Sequence, residues 1–168
     1  ALQKRIFFEP FGRNTAAAIA LAAFEIEKKD PEATLAVLPC DAWIQDERRF
    51  LASLRLAIQA ASASESIVTI GVKPTYPATG FGYIRYGGRV PQMEGKAHQV
   101  GQFIEKPPLR QAKRLSNERA VLWNTGIFVF RLPVLMTSLK THMPHLFRGF
   151  GDVASAKGKV REQKLLSL

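Results

Sequence analysis

A carboxylate, a Glu-Lys pair and an amide each end or interrupt an apolar run in this sequence. Asp41 follows the run 34–38 and Pro39-Cys40. A carboxylate at the end of a buried strand is placed to hold Mg2+ through oxygen; a turn or N-cap aspartate is the competing reading. Glu105-Lys106-Pro107 ends the run 98–104. An ammonium group is a compact charge suited to a phosphate oxygen, and its neighbouring carboxylate can accept from sugar hydroxyls. By itself the tripeptide reads as a surface ion pair before a turn. Asn124, with Thr125, interrupts the apolar stretch 120–130. Its amide needs hydrogen-bond partners, supplied either by a ligand hydroxyl or by a local bulge. Gly80 and Gly82, followed by Tyr83, let backbone approach a ring-shaped ligand or simply turn the chain into a strand.

A fifth stretch lies near the start, Phe8-Glu9-Pro10-Phe11-Gly12-Arg13-Asn14-Thr15-Ala16. It reads as strand end, turn and helix start. Asn14 and Thr15 are good N-cap types. A helix N-terminus presents unpaired N–H groups and partial positive charge. With Gly12 clearing the backbone and Glu9 and Arg13 adding one charge of each sign, this is a place to hold a nucleotide base or phosphate. An ordinary capped turn would look the same.

The elements that must position these residues alternate. A strand is expected at 5–8, a helix at 14–29, a strand at 34–38, a helix capped by Asp46 to about 62, and a buried strand at 66–71. Phe50, Leu54, Ala57, Ile58 and Ala61 share one face of the second helix. Continuous apolar strands of this kind suit the inside of a parallel sheet. The alternation is that of an open α/β sheet, whose ligands lie beyond the strand carboxyl ends. Gly12, Asp41 and Gly71 would share that rim. Then come a loop at 73–82, a strand at 82–86, a turn at Gly87-Gly88, a strand at 98–105, a helix at 109–117, a strand at 120–130 and a helix from Leu132 with Pro133 in its first turn. Beyond Met143 the pattern weakens, with 154–166 as a helix candidate. No repeat or linker is visible, so one domain is expected over 1–168.

Twenty-four Lys plus Arg against 14 Asp plus Glu give a net charge of +10. That excess attracts anions, but the basic residues are scattered and lack a nucleic-acid-binding signature, so nucleic acid is not expected as a partner. No apolar stretch approaches a membrane span. A single cysteine, Cys40, excludes an intrachain disulfide and fits a reducing, cytoplasmic setting. His98, His142 and His145 have no zinc-ligand spacing with it. No nucleophile-elbow motif occurs.

Five stretches together resemble the mannose-1-phosphate guanylyltransferases, a family of sugar nucleotidyltransferases. Glu9 to Ala16 resembles that family's E-P-x-G-R-N-T-A signature. Val37-Leu38-Pro39-Cys40-Asp41, Pro77-Ala78-Thr79-Gly80-Phe81-Gly82-Tyr83-Ile84, Phe103-Ile104-Glu105-Lys106-Pro107 and Leu122-Trp123-Asn124-Thr125-Gly126-Ile127-Phe128 follow in the family's order. Two departures are Ala42 where the family has His, and Phe81 where it has Tyr.

The resemblance implies a Rossmann-like three-layer α/β/α nucleotide-diphospho-sugar transferase fold with a mixed sheet, incomplete at both ends. It implies guanylyl transfer from GTP to mannose-1-phosphate, giving GDP-mannose and pyrophosphate, with Mg2+ as cofactor. Asp41 would be a metal ligand and Lys106 would hold the sugar phosphate. Glu9, Gly12, Arg13, Asn14 and Thr15 would meet the nucleotide, and Gly80, Gly82, Tyr83, Glu105, Asn124 and Thr125 the sugar. The family's glycine-rich triphosphate loop, G-G-x-G-x-R-L-x-P-L-S, and its second metal aspartate do not occur here. The chain thus reads as an internal piece, inactive alone, with exposed strand edges that favour homodimerisation. Two rivals stay open: a nucleotidyltransferase for another sugar-1-phosphate, and a non-catalytic sugar-nucleotide-binding domain.

Overall fold

Apolar alternation and well-placed caps give the elements their order. The computed structural model describes residues 6, 12, 14–93, 97–156, 160, 163 and 164. The expected strand at 5–8 and the side chains of Glu9 and Arg13 lie outside the described residues. Where the sequence suggests one domain, the chain divides into two compact units. One spans 36–130; the other joins 1–35 to 131–168.

The larger unit is built on a five-stranded sheet. Strands are β1 (Thr34–Val37), β2 (Val68–Val72), β3 (Tyr83–Arg89), β4 (His98–Ile104) and β5 (Val121–Arg131), in the order β1-β5-β3-β4 with β2 also on β5. The β2–β5, β3–β5 and β3–β4 ladders are all antiparallel. The parallel arrangement expected for the early strands does not extend to β2: an apolar run reports burial and not direction. β1 and β2 are also less buried than their sequences suggest. Among the described residues each has β5 as its ladder neighbour. β5 is long because three strands bond to it.

Helix α2 (Glu47–Ala63) starts where Asp46 Oδ1 accepts from the Arg49 amide at 2.9 Å, a side-chain cap. It lays Ala57 and Ala61 against Val129, with Leu54, Val68 and Ile70 alongside. Ile58 lies outside this contact and is about a third exposed, at 37%; the small alanines, not the larger Ile, let helix and sheet approach. Helix α3 (Leu109–Leu115) contributes Ala112 and Leu115 to a second cluster with Ala78, Tyr83, Val121 and Trp123. Gly87 and Gly88 are not a turn but part of β3, which is bulged against β4 between Tyr86 and Arg89. The chain reverses later, at the 3-10 turn Pro91–Met93.

The other unit packs α1 (Asn14–Glu27) with α4 (Leu132–His142) and α5 (Pro144–Ser155). Alanines at 17, 20 and 23 are buried and keep α1 slim enough for close contact, while Phe24 meets Phe147 at 5.3 Å and Phe150 at 6.4 Å. α4 is anchored at its start by the Leu132 amide donating to Ala33 O at 2.8 Å and by an Arg131–Glu32 ion pair. α5 is a helix the sequence pattern misses. Gly149 and Gly151 argue against a helix there, yet burial of Phe150 and Val153 against the neighbouring helices outweighs propensity.

Candidate active site

Gly82 is the point where the expected sugar-binding residues meet. It is buried immediately before β3, and its carbonyl accepts from the Asn124 backbone N–H at 2.8 Å. On its other side a Cβ would stand 2.8 Å from Glu105 Oε2 and 3.1 Å from Phe103 Cζ. Only glycine leaves the Glu105 carboxylate that close to the backbone. Segments about 20 residues apart on either side of β4 and β5 are thus brought into one cluster by the β3–β4 and β3–β5 ladders, Tyr83 pairing with both Ile104 and Trp123.

Asn124 sits in a bulge. Between Thr69/Gly71 on β2 and Phe128/Asn124 on β5 the register slips, so β5 carries extra residues there. Gly126 makes this possible with φ +73, the left-handed region where a Cβ is strained. Thr125 Oγ1 donates to Ile70 O at 2.6 Å and lies 3.3 Å from the Ile127 amide. Asn124 Oδ1 accepts from the Gly126 backbone amide at 3.3 Å, which marks that end of the side-chain amide as oxygen. The Thr69 hydroxyl stands 3.0 Å from both Asn124 Oδ1 and Ile127 O, with one proton to share between them. The Asn124 Nδ2 group has no acceptor among the described residues and remains able to donate to a ligand hydroxyl. Both sequence readings of Asn124 are therefore compatible: the oxygen serves the bulge and the nitrogen is left over. Thr69 was not foreseen as a site residue. Its signal was a hydroxyl inside the apolar run 67–70.

Lys106 and Glu105 form an ion pair at 3.8 Å, with side chains 66% and 58% exposed. At that exposure the pair contributes little to stability. The backbone says more. Lys106 has φ +43, and it precedes Pro107. A residue before proline ordinarily sits near φ −120°. Among the described residues only Asn14, at φ +68, and Lys106 are non-glycines with positive φ. Such strain concentrates at functional sites. Asn14 opens α1 and tolerates the left-handed region as asparagine often does; Thr15 follows it within the helix, and Gly12 is exposed just ahead.

Asp41 lies in the loop after β1, exposed, with no ion-pair or hydrogen-bond partner among the described residues. Pro39, two residues earlier, lies beside the bulge, 3.9 Å from where a Gly126 Cβ would be. The loop carrying Asp41 is thus rooted next to Asn124. No cluster of three metal-ligating side chains occurs among the described residues. A single free carboxylate does fit Mg2+, which keeps several waters and takes its remaining ligands from substrate phosphates.

The Tyr83 ring is fully buried and its hydroxyl donates to Ala78 O at 2.8 Å, so the side chain itself is not available to a ligand. Its part is to hold the 78–83 segment in place. Gly71 lies one residue before the carboxyl end of β2, opposite Asn124. Gly80 is exposed, with nothing within 4 Å of a Cβ placed on it. Beside it, the rings of Tyr76 and Phe81 stand edge-on to Trp123 at 4.9 and 5.2 Å. The buried Trp123 indole N–H has no hydrogen-bond partner among the described residues.

Comparison with known proteins supplies the wider frame. The sequence model of the nucleotidyl transferase family matches residues 1–158. The putative mannose-1-phosphate guanylyltransferase of Vibrio cholerae is 38% identical over 146 residues, covering 87% of this chain and 30% of that protein. The mannose-1-phosphate guanylyltransferase of Escherichia coli is 40% identical over 158 residues, covering 92% of this chain and 33% of that protein. The chain therefore spans about a third of the length of these curated relatives. A solved structure described as mannose-1-phosphate geranyltransferase from Thermus thermophilus superposes with TM-score 0.84 at 28% identity, over 96% of this chain and 46% of that one. A Helicobacter pylori mannose-6-phosphate isomerase structure gives 0.78 at 30% identity, over 96% and 62%. The Rossmann-like α/β class expected from the sequence is the fold these structures share. With a fold, a motif order and a family match in agreement, the chain belongs to the nucleotidyl transferase family.

Proposed function

We propose that the protein carrying this chain transfers a guanylyl group from GTP to mannose-1-phosphate. A phosphate oxygen of the sugar phosphate attacks the α-phosphorus of GTP in line. The bond from that phosphorus to the bridging oxygen breaks, and pyrophosphate leaves with its electron pair. Such a reaction depends on positioning and charge neutralisation. The chain's own residues suit both. Lys106 sets a cation against the sugar phosphate, and Glu105 and the Asn124 amide nitrogen offer an acceptor and a donor to the hexose hydroxyls. Asp41 is the residue that would hold Mg2+, which when bound offsets phosphate charge. Asn14, Thr15 and the backbone at Gly12, with Glu9 and Arg13, are assigned to the nucleotide.

The observation that carries this reading is the strained backbone at Lys106 beside the Gly82–Glu105–Asn124 cluster. The left-handed backbone at Lys106 presents an exposed ammonium group ahead of Pro107, and a fixed phosphate contact would account for that strain.

The test is pyrophosphate release from GTP and mannose-1-phosphate with Mg2+ by the protein that carries this chain. Asp41→Asn should lower turnover by about two orders of magnitude or more and leave the melting temperature unchanged, because Asp41 has no partner among the described residues. Wild-type turnover with another sugar phosphate but not with mannose-1-phosphate would refute the substrate assignment.

A further inference from the structure

The bulge in β5 fixes the polarity of Asn124 as well as its position. The backbone N–H of Asn124 donates to Gly82 O at 2.8 Å. Its Oδ1 accepts from the Gly126 N–H at 3.3 Å, and the Thr69 hydroxyl stands 3.0 Å from the same oxygen. Turning the side-chain amide over would set Nδ2 against the Gly126 N–H, donor against donor. The bulge keeps that N–H in place. Gly126 holds φ +73, and Thr125 Oγ1 ties the turn to β2 by donating to Ile70 O at 2.6 Å. What Asn124 has left is a donor. Glu105 is the opposite case, since a carboxylate only accepts. Its Oε2 lies 2.8 Å from where a Gly82 Cβ would stand. A group left as donor and a group that only accepts therefore flank one glycine, the first bonded to its carbonyl, the second lodged where a side chain is missing.

We infer that this pair selects the sugar phosphate by hydrogen-bond polarity: Asn124 Nδ2 requires one hexose substituent to accept, Glu105 requires another to donate, and an amino-sugar phosphate whose ammonium group faces Asn124 is rejected. The inference deepens the function proposed above and rests on it. A hydroxyl satisfies either residue, because it both donates and accepts. An ammonium group donates and has no lone pair; fluorine accepts weakly and cannot donate. A donor set against a donor leaves both unpaired, and a polar site excludes an analogue far more strongly that way than an apolar pocket does by size. Net charge does not imitate this pattern. The chain's +10 disfavours an ammonium group anywhere on the hexose, whereas the fixed amide of Asn124 acts at one position.

The experiment uses the protein that carries this chain and analogues of mannose-1-phosphate in which each free hydroxyl in turn is replaced by fluorine or by a protonated amine. Each analogue is measured as a competitor of mannose-1-phosphate in pyrophosphate release, so that binding is read even where turnover fails. At one position the fluoro analogue should bind about tenfold or more tighter than the amino analogue; at another, facing Glu105, the order should reverse. Asn124→Asp replaces the donor by an acceptor of the same shape. It should cut the first preference by about tenfold or more and leave the second within about twofold. The wild-type panel needs no variant to fold. A panel in which no position prefers fluorine to the amine would overturn the inference while leaving the proposed function standing. So would a folded Asn124→Asp protein that keeps the wild-type order at every position. A wild-type protein that releases no pyrophosphate from GTP and mannose-1-phosphate would remove both readings together.

Discussion

Replacing Gly82 with Ala separates folding from substrate placement at this site. The new Cβ would lie 2.8 Å from Glu105 Oε2, so the carboxylate must retreat by roughly 0.6 Å to reach the 3.4 Å of ordinary contact. Phe103 need give only a few tenths of an ångström. Both neighbours can move: Glu105 is 58% exposed and the Phe103 ring is also exposed. Overpacking costs at most about 1 kcal/mol in such a yielding setting, and alanine recovers about 0.4–1 kcal/mol by restricting the unfolded chain. The melting temperature should therefore stay within about 3 °C of wild type. Substrate placement is less forgiving, because a misplacement of about 1 Å can cost about 100-fold in rate. A shift of half that size predicts a loss of about tenfold in kcat/KM for mannose-1-phosphate, or about 1.4 kcal/mol. The assay is pyrophosphate release at varied sugar phosphate, run as a cycle with Glu105→Ala. If the effect passes through Glu105, adding Gly82→Ala to Glu105→Ala should cost little more. A full tenfold loss in the Glu105→Ala background, or a fall in melting temperature of 10 °C or more with unchanged kinetics, would refute the reasoning.

Lys106→Gly should relieve the left-handed backbone and raise stability by about 1 kcal/mol, while turnover drops by about 100-fold or more through loss of the cation proposed to hold the sugar phosphate; denaturant melts and pyrophosphate release read the two effects separately. Gly126→Ala has room for its Cβ, whose nearest neighbour is 3.9 Å away, so its cost is conformational strain alone, about 1–2 kcal/mol, seen as a lower denaturation midpoint with an unchanged slope. Thr69→Val removes the hydroxyl that faces Asn124 Oδ1 and Ile127 O. It should cost about 1 kcal/mol and raise the KM for mannose-1-phosphate by freeing the Asn124 amide to rotate.

Much of the candidate site can be read without coordinates, because the residues proposed to meet charged and hydroxylated ligands are conspicuous at the ends of apolar runs. Asp41 after 34–38, Glu105-Lys106 after 98–104 and Asn124 inside 120–130 are such cases. Helix α2 is equally legible, since an aspartate cap and an apolar face are local properties. What the sequence does not decide is set by long-range contacts. The direction of β2 depends on β5, more than 50 residues later. The fate of Tyr83 depends on the space between β3, β5 and α3, which hides its ring. Gly87-Gly88 looks like a turn because flexible residues often turn, but β4 bonds alongside it and holds it in a strand. α5 forms against its glycines because Phe150 and Val153 find a core. The composition and order of the chain thus determined which groups could meet a sugar phosphate and a nucleotide. Only the tertiary structure decided which parts of them stay available: one nitrogen of Asn124, the strained backbone under Lys106, and a glycine whose missing side chain leaves room for Glu105. Those outcomes depend on which atoms the bulge and the ladders have already satisfied, and that depends on residues far away in the chain.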